Sequence, residues 1–213
     1  RITAIVLLVL VLATNYFNYV SFGGPMTHNY LFTIYCLVIW LTMKWYEHPT
    51  ILRSVFIGAL CGLATVTRPT EIIMLVIPFL WGIDTSNGLT HRIRFLRKHQ
   101  WKLLLAAVAS AITLLPQLIY WKALSGDWVY YSYQEQGFSW ASPHFYEGIF
   151  TFRNGWLSYT PVMLLALIGF ILLYKKHQEL LAACLLFSAI NLYIVYAWDI
   201  WWYGGSLGMR AMI

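Results

Sequence analysis

Long apolar runs separated by short polar segments dominate this sequence. The runs cover residues 2–20, 30–43, 51–66, 72–83, 103–121, 161–173 and 180–197. A membrane-spanning helix needs about 20 apolar residues to cross a hydrocarbon core of ~30 Å. The run at 2–20 is long enough for a span, whereas the run at 72–83 reaches only about 18 Å. The pattern predicts an all-α polytopic transmembrane bundle of about seven helices, one of them short.

The composition agrees with this pattern. The chain is 60% hydrophobic and 10% charged, whereas soluble domains carry about 25% charged residues. We therefore predict an integral membrane protein with one transmembrane domain over residues 1–213. Because the chain opens inside an apolar run and stops where another begins, we interpret it as part of a longer protein. The net charge of +6 does not indicate a nucleic-acid partner, since the basic residues are dispersed among short loops.

The basic residues predict the orientation in the membrane. They concentrate in the segments at 44–53 and 84–102 and in the turn near residue 174, which belong on the cytoplasmic side. Four of the 14 Lys and Arg residues fall on the other side: Arg68, Lys122, Arg153 and Arg210. An alternative topology, with the third and fourth runs as one broken span, reverses the first two runs. In the first topology the exterior face collects four segments, at residues 21–29, 67–71, 122–160 and 199–210.

The longest exterior segment, residues 122–160, is rich in aromatic residues. Loops beyond about 12–15 residues are uncommon unless they are functional or disordered, and this one is too aromatic for disorder. We predict an ordered exterior loop that carries short helices and covers a site. Its tyrosines form a candidate surface for a sugar or a peptide, although each side chain is also open to a structural role. The candidates are Asp127, Tyr131, Tyr133, Glu135 and Arg153.

The segment at 67–71, TRPTE, interrupts two apolar runs. Pro69 should end or bend the helix, which places Arg68 and Glu71 near the exterior surface. An Arg at membrane depth is costly and often marks a site or an ion pair. A planar guanidinium suits a phosphate group. The alternatives are a local ion pair between Arg68 and Glu71, or an Arg that extends to the lipid headgroups.

Arg210 and His28 are two further candidates for an anionic ligand. Arg210 follows the glycine-containing segment DIWWYGGSLGM, whose flexible backbone allows close approach of a ligand. The alternative for Arg210 is an aromatic belt followed by an Arg that reaches the headgroups. His28 begins the second apolar run, where it either binds a metal or phosphate or forms a local hydrogen bond. No metal-ligand spacing is visible, so no cofactor is assigned and a divalent metal stays open.

Four stretches resemble the GT-C class of integral-membrane glycosyltransferases. The closest branch is the protein O-mannosyltransferase and aminoarabinose-transferase group, with its bacterial members. The third stretch is the most specific, through PQ, W-K-x-x-x-G, GF and R-x-G-W-L-x-Y-T-P. The stretches are THNYLF, GALCGLATVTRPTEIIMLVIPFL, LPQLIYWKALSGDWVYYSYQEQGFSWASPHFYEGIFTFRNGWLSYTPVMLLALIGF and WWYGGSLGMRAMI.

This resemblance implies an inverting enzyme that moves a sugar from a polyprenyl-phosphate carrier to a lipid, glycan or protein acceptor. The reaction would take place at the extracytoplasmic face, in a bacterial protein at the inner membrane. The main catalytic carboxylate of such enzymes lies in an exterior loop that would precede residue 1. Arg68, Arg210 and His28 would then bind the donor phosphate, while Glu71 and residues 127–133 would face donor or acceptor. A transporter or lipid flippase, and a non-catalytic membrane scaffold, are the competing hypotheses.

Overall fold

The structure is a computed structural model that describes residues 1–23, 26–83, 88–131, 133, 135–205 and 207–212. The exterior segments predicted from the sequence contain residues outside this set, namely Gly24, Pro25, Ser132, Gln134 and Ser206. The first residue of the predicted basic loop, Asp84, also lies outside it.

Within the described residues the chain is all-helical, with one isolated bridge and no strand. The α-helices are α1 Ile2–Leu12, α2 Tyr16–Ser21, α3 Thr27–Glu47, α4 Ile51–Thr67, α5 Val76–Leu80, α6 Leu89–Lys98, α7 Gln100–Ser125, α8 Phe145–Phe150, α9 Trp156–Tyr159, α10 Met163–Lys176 and α11 Gln178–Ala197. Two 3₁₀ helices, Pro69–Leu75 and Arg210–Met212, complete the set. The all-α prediction is confirmed.

Two of the described helices, α7 and α11, are long and apolar enough to cross a membrane by length and composition. The apolar helices α1 and α4 are shorter than a span. The structure therefore agrees with the helical class predicted from the sequence, and it does not establish a bundle of seven spans.

The first apolar run does not form a single helix, contrary to the expectation that residues 2–20 suffice for a span. Helix α1 ends at Leu12 and α2 begins at Tyr16. The Thr14 hydroxyl donates to the Leu10 carbonyl over 2.5 Å and accepts from the Tyr16 N–H over 3.2 Å. A threonine side chain that bonds its own backbone competes with the regular helical pattern. Thr14 thus bonds the backbone on both sides of the interruption.

The chain divides into two compact units. The first unit contains Arg1–Phe32, Glu135–Leu172 and Ala189–Ile213, and the second contains Thr33–Gln134 and Leu173–Ser188. The core of the first unit groups Trp156, Val195, Tyr196, Trp201 and Met209. It anchors the end of α11 and the segment that follows it.

The second unit is built on the packing of α4 against α7. Gly58 and Gly62 face α7, and a Cβ atom on either would overlap backbone atoms of Ala106 or Ser110. Small residues at such positions let two helix backbones approach closely, as is common between membrane helices. Glycine at these two sites therefore sets the separation of α4 and α7.

Candidate functional site

The end of α4 forms the first part of the candidate site, in the second unit. Arg68 is in an extended conformation, with φ −150° and ψ 121°, and Pro69 opens the following 3₁₀ helix. A residue before proline is disfavoured in the α-helical region, and proline has no N–H to continue the helix. The helix break predicted from TRPTE is therefore present. It places Arg68 between two apolar helical segments.

A buried carboxylate lies next to this break. Glu71 is 7% exposed, and its Oε2 accepts a hydrogen bond of 2.5 Å from the Tyr35 hydroxyl of α3. Arg68 Nη1 lies 3.8 Å from Glu71 Oε1, and the Arg68 side chain is 23% exposed. This distance exceeds that of a hydrogen bond, so these two atoms form an ion pair without one. The local ion pair that the sequence left as an alternative is thus present, with Tyr35 as an added member.

The aromatic loop is fastened to the end of α11 in the first unit. Phe138 and Trp198 form an antiparallel bridge. The Asp199 carboxylate accepts from the Gly137 N–H over 2.9 Å and from the Ser139 hydroxyl over 2.8 Å. Hydrogen bonds to a charged acceptor contribute about 1.5–3 kcal/mol each. Asp199 therefore holds residues 137–139 of the loop against the residues that follow α11.

An aromatic stack continues from this attachment. The rings of Phe138 and Trp140 lie 4.6 Å apart and almost parallel, at 11°. Trp140 also stacks on Tyr193 of α11 at 5.7 Å, and the Tyr193 hydroxyl donates to the Trp140 carbonyl over 2.6 Å. Trp140 is 48% exposed. One edge of the stack is thus fixed on a helix while part of its surface stays accessible to a planar ligand or a sugar ring.

A second attachment joins the later part of the loop to the segment after α11. Asn154, with a positive φ of 64°, donates its side-chain amide to the Trp202 carbonyl over 2.8 Å and to the Gly204 carbonyl over 3.2 Å. The Arg153 guanidinium lies 4.0 Å from the centre of the Trp202 ring. This cation–π contact keeps the exposed Arg153 side chain along the protein surface.

Arg210 and the segment that carries His28 come together in the first unit. Arg210 Nη1 lies 3.8 Å from Met26 Sδ, and its guanidinium is 5.9 Å from the centre of the Tyr203 ring. Its buried Nε has no hydrogen-bond partner among the described residues. His28 is half-buried in the first turn of α3. These two donor-phosphate candidates belong to one unit and Arg68 to the other.

Four of the acceptor candidates are surface residues. Asp127, Tyr131, Tyr133 and Glu135 are exposed, and the rings of Tyr131 and Tyr133 lie 6.0 Å apart. Glu71 differs, because it is buried and already paired. The predicted short helices of the loop are present as α8 and α9.

Sequence reasoning missed three residues that organise these groups: Tyr35, Asn154 and Asp199. Asp199 offered the strongest signal, because it is the one acidic residue of the segment at 199–210. The sequence around Tyr35 does not predict its role, since a tyrosine in an apolar run is common in membrane helices. Its partner becomes visible only when α3 packs beside the 3₁₀ helix.

No group of three His, Cys, Asp or Glu side chains in the described part of the chain is arranged to hold a metal ion. Comparison of the chain with models of protein families, with curated proteins and with solved structures finds no match in any of the three. The GT-C resemblance therefore stays a prediction from the sequence.

Proposed function

We propose that this chain is part of an inverting GT-C-like glycosyltransferase, embedded in the membrane as a bundle of about seven spans. It would take a sugar from a polyprenyl-phosphate carrier and pass it to a lipid, glycan or protein acceptor. The reaction would occur at the extracytoplasmic face of a bacterial inner membrane. The resemblance implies that the main catalytic carboxylate lies before residue 1, so the residues of this chain would bind and position the substrates.

The observation that carries the proposal is the Arg68 guanidinium at the break between α4 and the 3₁₀ helix. The departing group in this reaction is a lipid phosphate, on which negative charge develops in the transition state. Fixed cations in a site of low polarity stabilise such charge more strongly than water does. Arg68 is three-quarters shielded and is paired with a buried carboxylate. The pair holds a cation at membrane depth, where an unpaired charge would be costly.

Two other features support the assignment. The most apolar part of α7 has a mean hydropathy of 2.0 with none of its residues buried, and an apolar helix that is not covered by protein suits contact with lipid. In the first unit, Asp199 and Asn154 fix an aromatic loop beside Arg210 and Tyr203. A fixed exterior loop can orient an acceptor and keep bulk water from the donor.

Donor binding tests this proposal on the present chain. The protein is reconstituted in liposomes with a radiolabelled polyprenyl-phosphate-linked sugar, and the bound label is measured for wild type and Arg68→Ala. A charge-assisted contact worth about 2 kcal/mol corresponds to affinity about 30-fold weaker in Arg68→Ala. Arg68→Lys should recover part of it, because charge is kept and the planar fork is lost.

Lys122→Ala is the matched control, since it removes another cation from the predicted exterior face without touching Arg68. It should bind the donor like wild type. Equal donor affinity in wild type and Arg68→Ala would remove Arg68 from the site. The transport hypothesis makes a different prediction: the intact labelled donor crosses the bilayer and the sugar stays attached to its carrier.

A further inference from the structure

The feature that the proposed function does not use is a basic, amphipathic helix at one end of the second unit. Helix α6, LTHRIRFLRK, lies in the segment that the sequence analysis placed on the cytoplasmic side. Its side chains divide into three stripes along the helix, following the i, i+3 and i+4 spacing that puts residues on one face. Each stripe has a different environment.

The first stripe faces the protein. The Phe95 ring packs against Trp45 at 5.8 Å and Tyr46 at 5.4 Å, and the His99 ring, just beyond the helix, lies 5.8 Å from Trp45. The Arg92 guanidinium lies 4.1 Å from the centre of the Tyr46 ring. These contacts fasten α6 sideways onto the end of α3.

The second stripe is apolar and is exposed in the part of the chain that the structure describes. Leu89 and Ile93 are 59% and 42% exposed, and they follow each other at a spacing of four residues. Trp101, just after the helix, is 72% exposed, and tryptophan is enriched where the hydrocarbon meets the headgroups. This stripe is suited to contact with acyl chains.

The third stripe is basic. Arg94, Arg97 and Lys98 are all exposed, and residues 88–102 contain no acidic side chain. Packing adds further cations from other elements at the same end, because Arg53 bonds the Lys44 carbonyl over 2.5 Å and Lys102 bonds the Pro49 carbonyl over 2.6 Å. Two acidic residues near this end are already paired: Glu47 with Lys44 at 2.8 Å, and Glu179, whose carbonyl accepts from the Gly82 N–H, with His177 at 3.1 Å. The end as a whole is therefore strongly positive.

An apolar cavity lies behind α6 within the same unit. It has a volume of about 360 Å³ and is lined almost entirely by apolar atoms. Leu96 of α6 and Tyr46, which stacks on Arg92, are among its walls. Arg92 is only 9% exposed, and its Nε has no hydrogen-bond partner in the described part of the chain. A basic helix next to an apolar cavity matches a ligand with an anionic head and an apolar tail.

We propose that α6 and this cavity form a binding site for an anionic phospholipid of the inner leaflet. The phosphate contacts the basic stripe, the helix lies in the plane of the membrane surface, and an acyl chain enters the cavity. Amphipathic helices with basic residues on the polar face bind anionic lipid surfaces in this way. The proposal rests on insertion of the chain in a membrane, and it does not depend on glycosyl transfer or on Arg68.

The test is native mass spectrometry of the full chain, delipidated in a non-ionic detergent and titrated with dioleoyl-phosphatidylglycerol or dioleoyl-phosphatidylcholine. The wild type should bind the anionic lipid more tightly than the zwitterionic one. Each basic residue near an anionic surface strengthens binding about fivefold. The double variant Arg94→Gln with Lys98→Gln should therefore bind the anionic lipid about 25-fold more weakly than wild type does. Both side chains are exposed, so the double variant should keep the helix content of wild type.

A matched control removes the same charge from the last turn of α10, through Lys175→Gln with Lys176→Gln. An equal loss of lipid affinity in this control would overturn the α6 site, because the lipid would then be attracted by the overall positive charge of the protein. Ala107→Phe tests the cavity, because Ala107 lines it from α7. This variant should lower the affinity for the two-chain lipid, while the weak binding of soluble glycerol phosphate stays unchanged. Wild-type lipid affinity in Ala107→Phe would overturn the acyl-chain part, and donor binding at Arg68 is measured separately in either case.

Discussion

The hydrogen bond from Tyr35 to Glu71 gives a direct test of the cluster around Arg68. Tyr35→Phe removes the hydroxyl that donates to the buried carboxylate over 2.5 Å. Neutral hydrogen bonds between membrane helices average about 0.6 kcal/mol, whereas bonds to charged groups reach about 1.5–3 kcal/mol. Glu71 is 7% exposed and cannot replace the lost donor with bulk water. We therefore expect Tyr35→Phe to lower the free energy of unfolding by about 2 kcal/mol, as for a bond to a charged group.

Cys61 supplies the assay. It is a buried residue of α4, 3% exposed, whereas Cys36 is exposed and Cys184 is intermediate. With Cys36 and Cys184 replaced by alanine, labelling by a thiol-reactive fluorophore reports the opening of α4. When opening and closing are fast, the labelling rate follows the population of the open state. A loss of about 2 kcal/mol corresponds to labelling about 30-fold faster in Tyr35→Phe.

Tyr30→Phe is the matched control, since it removes the same atom from the same helix at an exposed position. It should label at the parent rate. The reasoning is refuted when Tyr35→Phe also labels within about twofold of the parent, because the hydrogen bond would then contribute less than about 0.5 kcal/mol.

Two further predictions concern helix packing and pH. Gly58→Ala should destabilise the protein by about 1–3 kcal/mol, because the added methyl group overlaps the backbone of α7. Gly169→Ala, in open space inside α10, should be neutral or stabilising by up to about 1 kcal/mol. The midpoints of thermal unfolding in detergent measure both effects, and equal midpoints for the two variants would contradict the prediction. Burial, together with Lys102 and Lys98, lowers the pKa of His99. The folded state therefore favours the neutral ring. The stability that this preference contributes is present above the ordinary His pKa of about 6.5 and is lost as the pH falls below that value. Wild type should therefore lose more stability than His99→Gln between about pH 7.5 and about pH 5.5, and parallel losses in the two proteins would exclude His99 as the cause.

Much of the helical framework follows from the sequence alone. The apolar runs at 51–66, 103–121 and 180–197 correspond to α4, α7 and α11, each extended by a few residues. Pro69 marked the end of α4 because proline changes the backbone whatever its neighbours are. These features depend on local chemistry, so a single sequence is enough to predict them.

Other features depend on contacts that are distant in sequence. Hydropathy predicts a continuous run at 2–20, because it does not register the side-chain hydrogen bonds that Thr14 makes at the interruption. The sequence of α6 predicts only a basic loop, since its charges conceal the spacing of Leu89 and Ile93. The structural role of Asp199 cannot be predicted locally, because its partners Gly137 and Ser139 lie about sixty residues earlier in the chain. Long-range partners of this kind leave no periodic signal.

The close packing of α4 on α7 has a mechanical consequence for the second unit. With Gly58 and Gly62 against the α7 backbone, α4 cannot slide or rotate along its neighbour without a steric collision. Packed interfaces of this kind move between discrete arrangements and do not deform continuously. The adjoining 3₁₀ helix Pro69–Leu75 has weaker hydrogen-bond geometry than an α-helix. We therefore expect a change in the position of Glu71 to be taken up within this 3₁₀ segment before it moves α4 against α7.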